Sequence, residues 1–321
     1  MSLDSHDRPI FVVGAPRSGT TLFQYMLRSH PNISLPTGES HFLVPLFRRE
    51  NEFLPLSQRD NMKRLLEAMY EKSANFLDTD LHGLRFDIER LADEFVSECR
   101  DTLQSVFVGL FEKNARGEGK IRWGDKTPYY VLQMELLLDR FPGAQFIHLI
   151  RDGRDVALSL FDRRHDFGVY NTFFAAKYWE IYVERGQRVG RNLGIDVYHE
   201  VRFEDLVQDP VQVMRSVCTF LNEPYSENLI NFRKSGEAGK TPLLQQPIQQ
   251  SNKEKWRSKM SSRQIAVFEG AVGETLKSNG YPLATTAQTI SVPMKATYRL
   301  HNEAVRRVHQ LRRRLERAVS R

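Results

Sequence analysis

Apolar residues along the chain keep two rhythms. Short unbroken runs predict buried strands: PIFVVGA (Pro9–Ala15), AQFIHLI (Ala144–Ile150), a strand inside IRWGDKTP (Ile121–Pro128) and another around Val197–Val201. Between them the apolar positions recur at helical spacing. This predicts helices over Thr20–His30, most of Gln58–Asn114, Tyr129–Phe141 (stopped by Pro142-Gly143), Phe173–Asn192, Asp209–Leu221 and Ser261–Asn279. RDGRDVALSLFDRR also turns into a helix directly after the Ala144–Ile150 strand. Turn signals near Asp78–Gly83, the loop Ala115–Lys120 and a polar flap at Leu243–Ser251 separate these elements. Alternating strands and helices imply an α/β fold, a parallel sheet covered on both faces. Within it, Phe42–Asn114 is a helical insertion. A last stripe, Leu300, Ala304, Val308, Leu311, Leu315 and Ala318 or Val319, marks an amphipathic terminal helix. Two units follow, residues 1–293 as the α/β domain and 294–321 as the basic tail helix.

Composition removes several classes. The 321 residues are 40% apolar and 27% charged, enough for a sizeable core. The densest apolar stretches, Val106–Phe111 and Phe146–Ile150, are five or six residues long, far short of a bilayer span. The opening MSLDSHDRP lacks the basic and apolar regions of a secretory signal. Cys99 and Cys218 are the only cysteines, which excludes a disulfide scaffold and makes a reducing cytoplasm the expected location. The net charge of +6 is local: from Arg299 onward there are eight arginines, no lysine and two glutamates, so the body is formally neutral.

Two segments carry anion-binding chemistry. The strand ending at Gly14 runs through Ala-Pro-Arg17-Ser18-Gly19-Thr20-Thr21 into a helix, the layout of a P-loop. In that layout backbone N–H groups and the helix N-terminus face a phosphate. The triphosphate form of this loop places Lys after the last glycine; here Arg17 precedes it, so Mg-triphosphate is disfavoured. The second segment, Arg151-Asp-Gly-Arg154-Asp155, lies at the carboxyl end of a buried strand. Arg151, Ser159 and Arg163, the last two set on one face of the following helix, suit a separate phosphate. A salt-bridged helix start, with Asp152 and Asp155 pairing the arginines, is the structural alternative. Two such sites suit a nucleotide carrying both a 5′ and a 3′ phosphate.

Together these segments resemble the sulfotransferases that use 3′-phosphoadenosine-5′-phosphosulfate (PAPS), the bacterial and tyrosylprotein-type branch more than the cytosolic aryl and steroid branch. FVVGAPRSGTTLFQYMLRSHP resembles the family's 5′-phosphosulfate loop, FIHLIRDGRDVALSLFDRR its 3′-phosphate motif and WGDKTP its Lys-Asp/Thr-Pro turn, while VRFEDLVQDP and QQSNKEKW resemble later landmarks. The landmarks run from about residue 9 to 281 in the family's order. The resemblance assigns Arg17, Ser18, Gly19, Thr20 and Thr21 to the 5′-phosphosulfate, Arg151, Ser159 and Arg163 to the 3′-phosphate, and Lys255 to the neighbourhood of the nucleotide. It assigns Lys126 to the sulfuryl or bridging oxygen and Glu39, in Thr37-Gly-Glu39-Ser40-His41, to the general base, in a loop one residue longer than the family's. Phe203 stands where tyrosylprotein sulfotransferases often carry Tyr, and Ser235–Gln250 does not align.

The implied reaction is in-line transfer of a sulfuryl group to a hydroxyl, with PAPS as donor and no metal. Arg17 and Lys126 would stabilise developing charge, and Glu39, or its rival His41, would take the hydroxyl proton. Acceptor classes left open are sugar, lipid, phenol, small metabolite and peptide tyrosine. A P-loop small-molecule kinase using ATP–Mg and a non-enzymatic scaffold that has kept the fold are the alternatives. Trp123, Trp179 and the aromatic cluster Tyr170–Tyr182 read as packing, part of the last also suiting an acceptor pocket. The tail reads first as a helix packing its stripe on the body. The alternatives are a helix lying on an anionic membrane surface, which would make the protein peripheral there, or one pairing with another chain; nucleic acid is disfavoured.

Overall fold

The computed structural model describes residues 8–72, 84, 86–232, 253–286 and 289–319. The expected turn at Asp78–Gly83, the flap at Leu243–Ser251 and the unaligned stretch Ser235–Gln250 lie outside the described residues. Five parallel strands form one sheet in the order β2-β3-β1-β4-β5, where β1 is Ile10–Gly14, β2 Ile33–Ser34, β3 Arg122–Lys126, β4 Gln145–Ile150 and β5 Tyr198–Arg202. β1 lies at the centre, its Val12 opposite Lys126 of β3 and its Gly14 opposite Leu149 of β4.

Alternation along β1 divides the core. Phe11 and Val13 point into a layer with Phe146, Val156, Leu160, Trp179 and Phe268, while Ile10 and Val12 point into the opposite layer with Phe23, Met26, Leu27, Met214 and Val217. The helix after β1, Thr20–Arg28, therefore covers one face, and the helix after β4, Gly153–Asp162, covers the other. Neighbouring strands whose helices leave to opposite faces open a crevice at their carboxyl ends, the usual ligand position in such sheets. At the opposite end of the sheet Arg122 is fully buried; it donates to Leu221 O at 2.7 Å and Arg8 O at 2.9 Å and pairs with Glu223 at 3.3 Å. Its satisfied donors close that end, leaving the strand carboxyl ends for chemistry.

The helical insertion contains Leu43–Phe47, Arg59–Lys72, Ile88–Ser97 and Leu103–Gly117. The last of these runs three residues into the expected loop Ala115–Lys120. Tyr129–Phe141 resolves into a 3-10 turn, Pro128–Gln133, and a shorter α-helix, Met134–Arg140. The two-residue β2 and the short helix Phe203–Gln208 carry too little pattern to be foreseen. Trp123 and Trp179 are core residues, as expected.

The tail forms one helix, Val292–Val319, but the packed face is not the apolar stripe. Leu300, Val308, Leu311 and Leu315 are all more than half exposed, while Asn302 is buried. Asn302 accepts from Tyr170 N–H at 2.7 Å and donates to Gly168 O at 2.9 Å. Specific hydrogen bonds to a loop of the body hold this face inward, and the aliphatic stripe is left outside. Among the described residues no helix is long and apolar enough to cross a membrane.

Candidate active site

The first loop is shaped by three positive φ angles, Gly14 at 149°, Arg17 at 76° and Gly19 at 91°. A side chain at Gly14 would meet Leu149 O at 2.5 Å, so the loop leaves β1 pressed against β4. At Gly19 a Cβ would stand 2.2 Å from the Phe203 ring. Left-handed and right-handed residues in succession turn N–H groups toward one point, and the helix Thr20–Arg28 begins there with no side-chain cap. Ser18 is fully buried and its Oγ has no hydrogen-bond partner. Such an orphaned donor inside a concave backbone turn suits an anionic ligand.

Arg17 joins this loop to the second. Its Nε donates to Ser159 Oγ at 2.8 Å, and Arg151 Nη1 donates to the Arg17 carbonyl at 3.4 Å. Burial lowers the Arg17 pKa, and the positive charges of Arg163 and Arg151 lower it further. The Arg151 guanidinium lies 4.3 Å from the centre of the Phe203 ring, which thus separates it from Gly19. Lys255 stands just before the one-turn helix Trp256–Lys259; burial, then Arg151 and Lys259, depress its pKa. Arg163 departs from expectation. The helix ends at Asp162, so Arg163 is its C-cap; it is half exposed and pairs with Asp166 at 2.6 Å, yet its charge still reaches Arg17.

The remaining charges of this motif build the frame. Asp152 caps the helix by accepting from Arg154 N–H at 2.9 Å. Fully buried Arg154 bridges Asp152 at 2.7 Å and Glu269 at 2.6 Å and lies 3.6 Å above the Trp256 ring. Asp155 accepts from Trp256 N–H at 2.9 Å and stands 3.7 Å from Arg151. The salt-bridged helix start is therefore real, and it coexists with the Arg17–Ser159–Arg151 cluster instead of replacing it.

A second group of charges assembles beside Arg17 from distant segments. Lys126, at the carboxyl end of β3 and nearly buried, donates to Glu39 Oε1 at 2.7 Å. The other Glu39 oxygen lies 2.8 Å from His41 Nε2. Burial works to raise the Glu39 pKa, but the Lys126 ammonium and the His41 ring outweigh it and bring it down to about 2. Lys126 thus pairs across the crevice with Glu39, not along the strand with Asp125. The loop carrying Glu39 is held by Ser40, whose N–H donates to Thr127 Oγ1 at 2.9 Å and whose hydroxyl meets Tyr130 at 2.9 Å. Gln24 supports it from below through the Pro36 carbonyl. Asp125 is buried under this network, and burial pushes its carboxyl up to about 6.

Tyr178 and Tyr182 stand on the helix Thr172–Leu193, their hydroxyls 3.2 Å apart and ring centres 4.9 Å apart. Burial raises both pKa values, and the nearby Glu39 carboxylate raises them further. The expected packing role thus extends to the edge of the charged crevice. Ser40, Thr127 and Tyr130 act as supports that apolar periodicity does not reveal; the polar residues clustered around WGDKTP are the available signal.

Set beside known proteins, residues 9–227 match the pattern of the Sulfotransferase family. A protein-tyrosine sulfotransferase of Drosophila melanogaster is 25% identical over 227 residues, covering 69% of this chain and 39% of that protein. Protein-tyrosine sulfotransferase 1 of Danio rerio is 26% identical over 240 residues, covering 73% of this chain and 59% of that one. The chain therefore spans well under two thirds of these relatives' length. The sulfotransferase domain of the Synechococcus PCC 7002 olefin synthase shares the fold, with a TM-score of 0.57, 23% identity, and 86% and 95% of the two chains covered.

Proposed function

The chain belongs to the sulfotransferase family, and from that premise we propose that it moves a sulfuryl group from PAPS to an acceptor hydroxyl. The acceptor oxygen attacks sulfur, a new S–O bond forms, and the bond from sulfur to the bridging phosphate oxygen breaks in line. The leaving oxygen keeps the electron pair, so 3′-phosphoadenosine-5′-phosphate departs as the anion. Glu39 takes the hydroxyl proton, with His41 holding its second oxygen. Arg17 and Lys126 stabilise charge on the equatorial and bridging oxygens, a preorganised donor of this kind contributing about 3–4 kcal/mol to the transition state. Ser18, Gly19, Thr20 and Thr21 receive the 5′ group, and Arg151, Ser159, Arg163 and Lys255 the 3′-phosphate. Residues 1–293 make up the catalytic unit in this reading.

Because Lys126 is bound to Glu39, donor binding has a second effect. A sulfuryl group that draws the ammonium away releases the carboxylate, whose basicity then rises toward the ordinary range. The base is switched on when the electrophile is in place. Tyr178 and Tyr182 form the acceptor wall beside it, which favours a hydroxyl on a flat or aromatic group.

The observation that most supports this reading is Arg17: one residue contacts both phosphate segments, as a single doubly phosphorylated nucleotide requires. Titration calorimetry tests it. Adenosine 3′,5′-bisphosphate is expected to bind without metal at least about tenfold more tightly than ATP–Mg, the 3′-phosphate contacts being charge-assisted. The reverse order favours the kinase reading and overturns this one.

A further inference from the structure

The helix Val292–Val319 has two faces set half a turn apart. The inner face is docked: besides the two Asn302 bonds, Asn171 Nδ2 donates to Tyr298 O at 2.8 Å, Tyr298 stacks on Phe173 at 5.6 Å, and His309 stacks on His165 at 3.8 Å. The outer face carries Leu300, Ala304, Val308, Leu311 and Leu315, all exposed. At about 100° per residue these five fall within a strip roughly 80° wide, opposite Asn302. Exposed Arg307 and Arg312 border the strip on either side. A continuous apolar stripe held outward by a specific polar anchor is a surface in search of a partner.

We propose that this stripe rests on an anionic lipid bilayer. The segment from Arg299 onward holds eight arginines and two glutamates, whereas the rest of the chain is formally neutral, so attraction to negative headgroups concentrates here. Glu303 accepts from Arg306 and Arg307 at 2.8 Å each, and the excess of arginine over acid remains. A second copy of the helix is a poor occupant. Around a Val308–Leu311–Leu315 seam exposed Arg307 and Arg312 stand on the two flanks, so self-pairing sets arginine against arginine in either orientation. On a bilayer the same arginines meet phosphates while the stripe enters the headgroup boundary. The polar face that an isolated amphipathic helix turns to water is here fastened to the enzyme.

Co-sedimentation of the full chain with vesicles tests this. Phosphatidylcholine containing about a third phosphatidylglycerol should retain at least about tenfold more protein than phosphatidylcholine alone, and half-molar salt should cut that advantage. The Val308→Asp/Leu311→Asp variant should lose the retention while keeping its melting temperature, its circular dichroism and its affinity for adenosine 3′,5′-bisphosphate, since both side chains are exposed. Equal or absent retention on the two vesicle types overturns the proposal. A wild-type dimer in light scattering that this variant splits, without a vesicle preference, overturns it in favour of a second copy.

Discussion

Two halves of the crevice hold charge in opposite ways. Around Arg17, guanidinium groups gather about one carbonyl and one hydroxyl, and burial with the Arg163 and Arg151 charges depresses the proton affinity of Arg17. Around Glu39, a carboxylate sits between an ammonium and an imidazole with both oxygens engaged. The first arrangement costs free energy until an anion arrives; the second is satisfied and must be disturbed before it can work. In the proposed reading nucleotide binding and proton acceptance thus rest on different groups, joined only where Lys126 meets the sulfuryl group.

The most severe way to sharpen that contrast is Glu39→Gln. Turnover should fall by roughly 10²–10⁴, the usual range for a lost general base, with adenosine 3′,5′-bisphosphate affinity unchanged by calorimetry. A parallel loss of nucleotide affinity would merge the two halves into one. Gly19→Val attacks the other half. A side chain at φ 91°, 2.2 Å from the Phe203 ring, imposes strain of about 1–3 kcal/mol, so the nucleotide Kd should rise roughly ten- to a hundredfold. The base should survive, seen as near-normal turnover at saturating donor.

Lys126→Met probes the balance on the Glu39 side through acid stability. Glu39 is held down to about 2, so its ionised form contributes stability above the ordinary carboxylate range, and that contribution is lost as pH falls toward 2. Without the ammonium the carboxyl rises and the contribution shrinks. The acid-unfolding midpoint followed by circular dichroism should therefore move to higher pH. The smallest effect belongs to Ser159→Ala. Removing one neutral partner of Arg17 costs about 1 kcal/mol, a three- to tenfold weaker nucleotide, with the pH profile of turnover unmoved.

The same contrast explains what could be read from the chain. Gly14 and Gly19 announce their loop because backbone conformation is imposed locally, and RDGR sits at the end of a run that is plainly a buried strand. Glu39 and Lys126 are 87 residues apart, and only the resemblance brought them together. Their supports, Ser40, Thr127 and Tyr130, form hydrogen bonds that no periodicity encodes. The same limit shaped the tail. Amphipathicity identified its helix, but the side that meets the body is set by the Asn302 bonds to the loop, the Asn171–Tyr298 bond and two ring stacks, none of which the stripe encodes. Arg163 is the C-cap and not the last turn of its helix, a boundary beyond the resolution of spacing rules.

The hydrogen bond from Arg151 to the Arg17 carbonyl has one more consequence. In the proposed nucleotide complex it would let each phosphate report on the other, since a ligand that grips Arg151 also steadies the backbone on which the neighbouring amides hang. Removing either phosphate from a nucleotide should therefore forfeit more than that group's own contacts, and double-mutant cycles across Arg151 and Ser159 should not close to zero. Selectivity against singly phosphorylated adenosines becomes a cooperative property of the crevice.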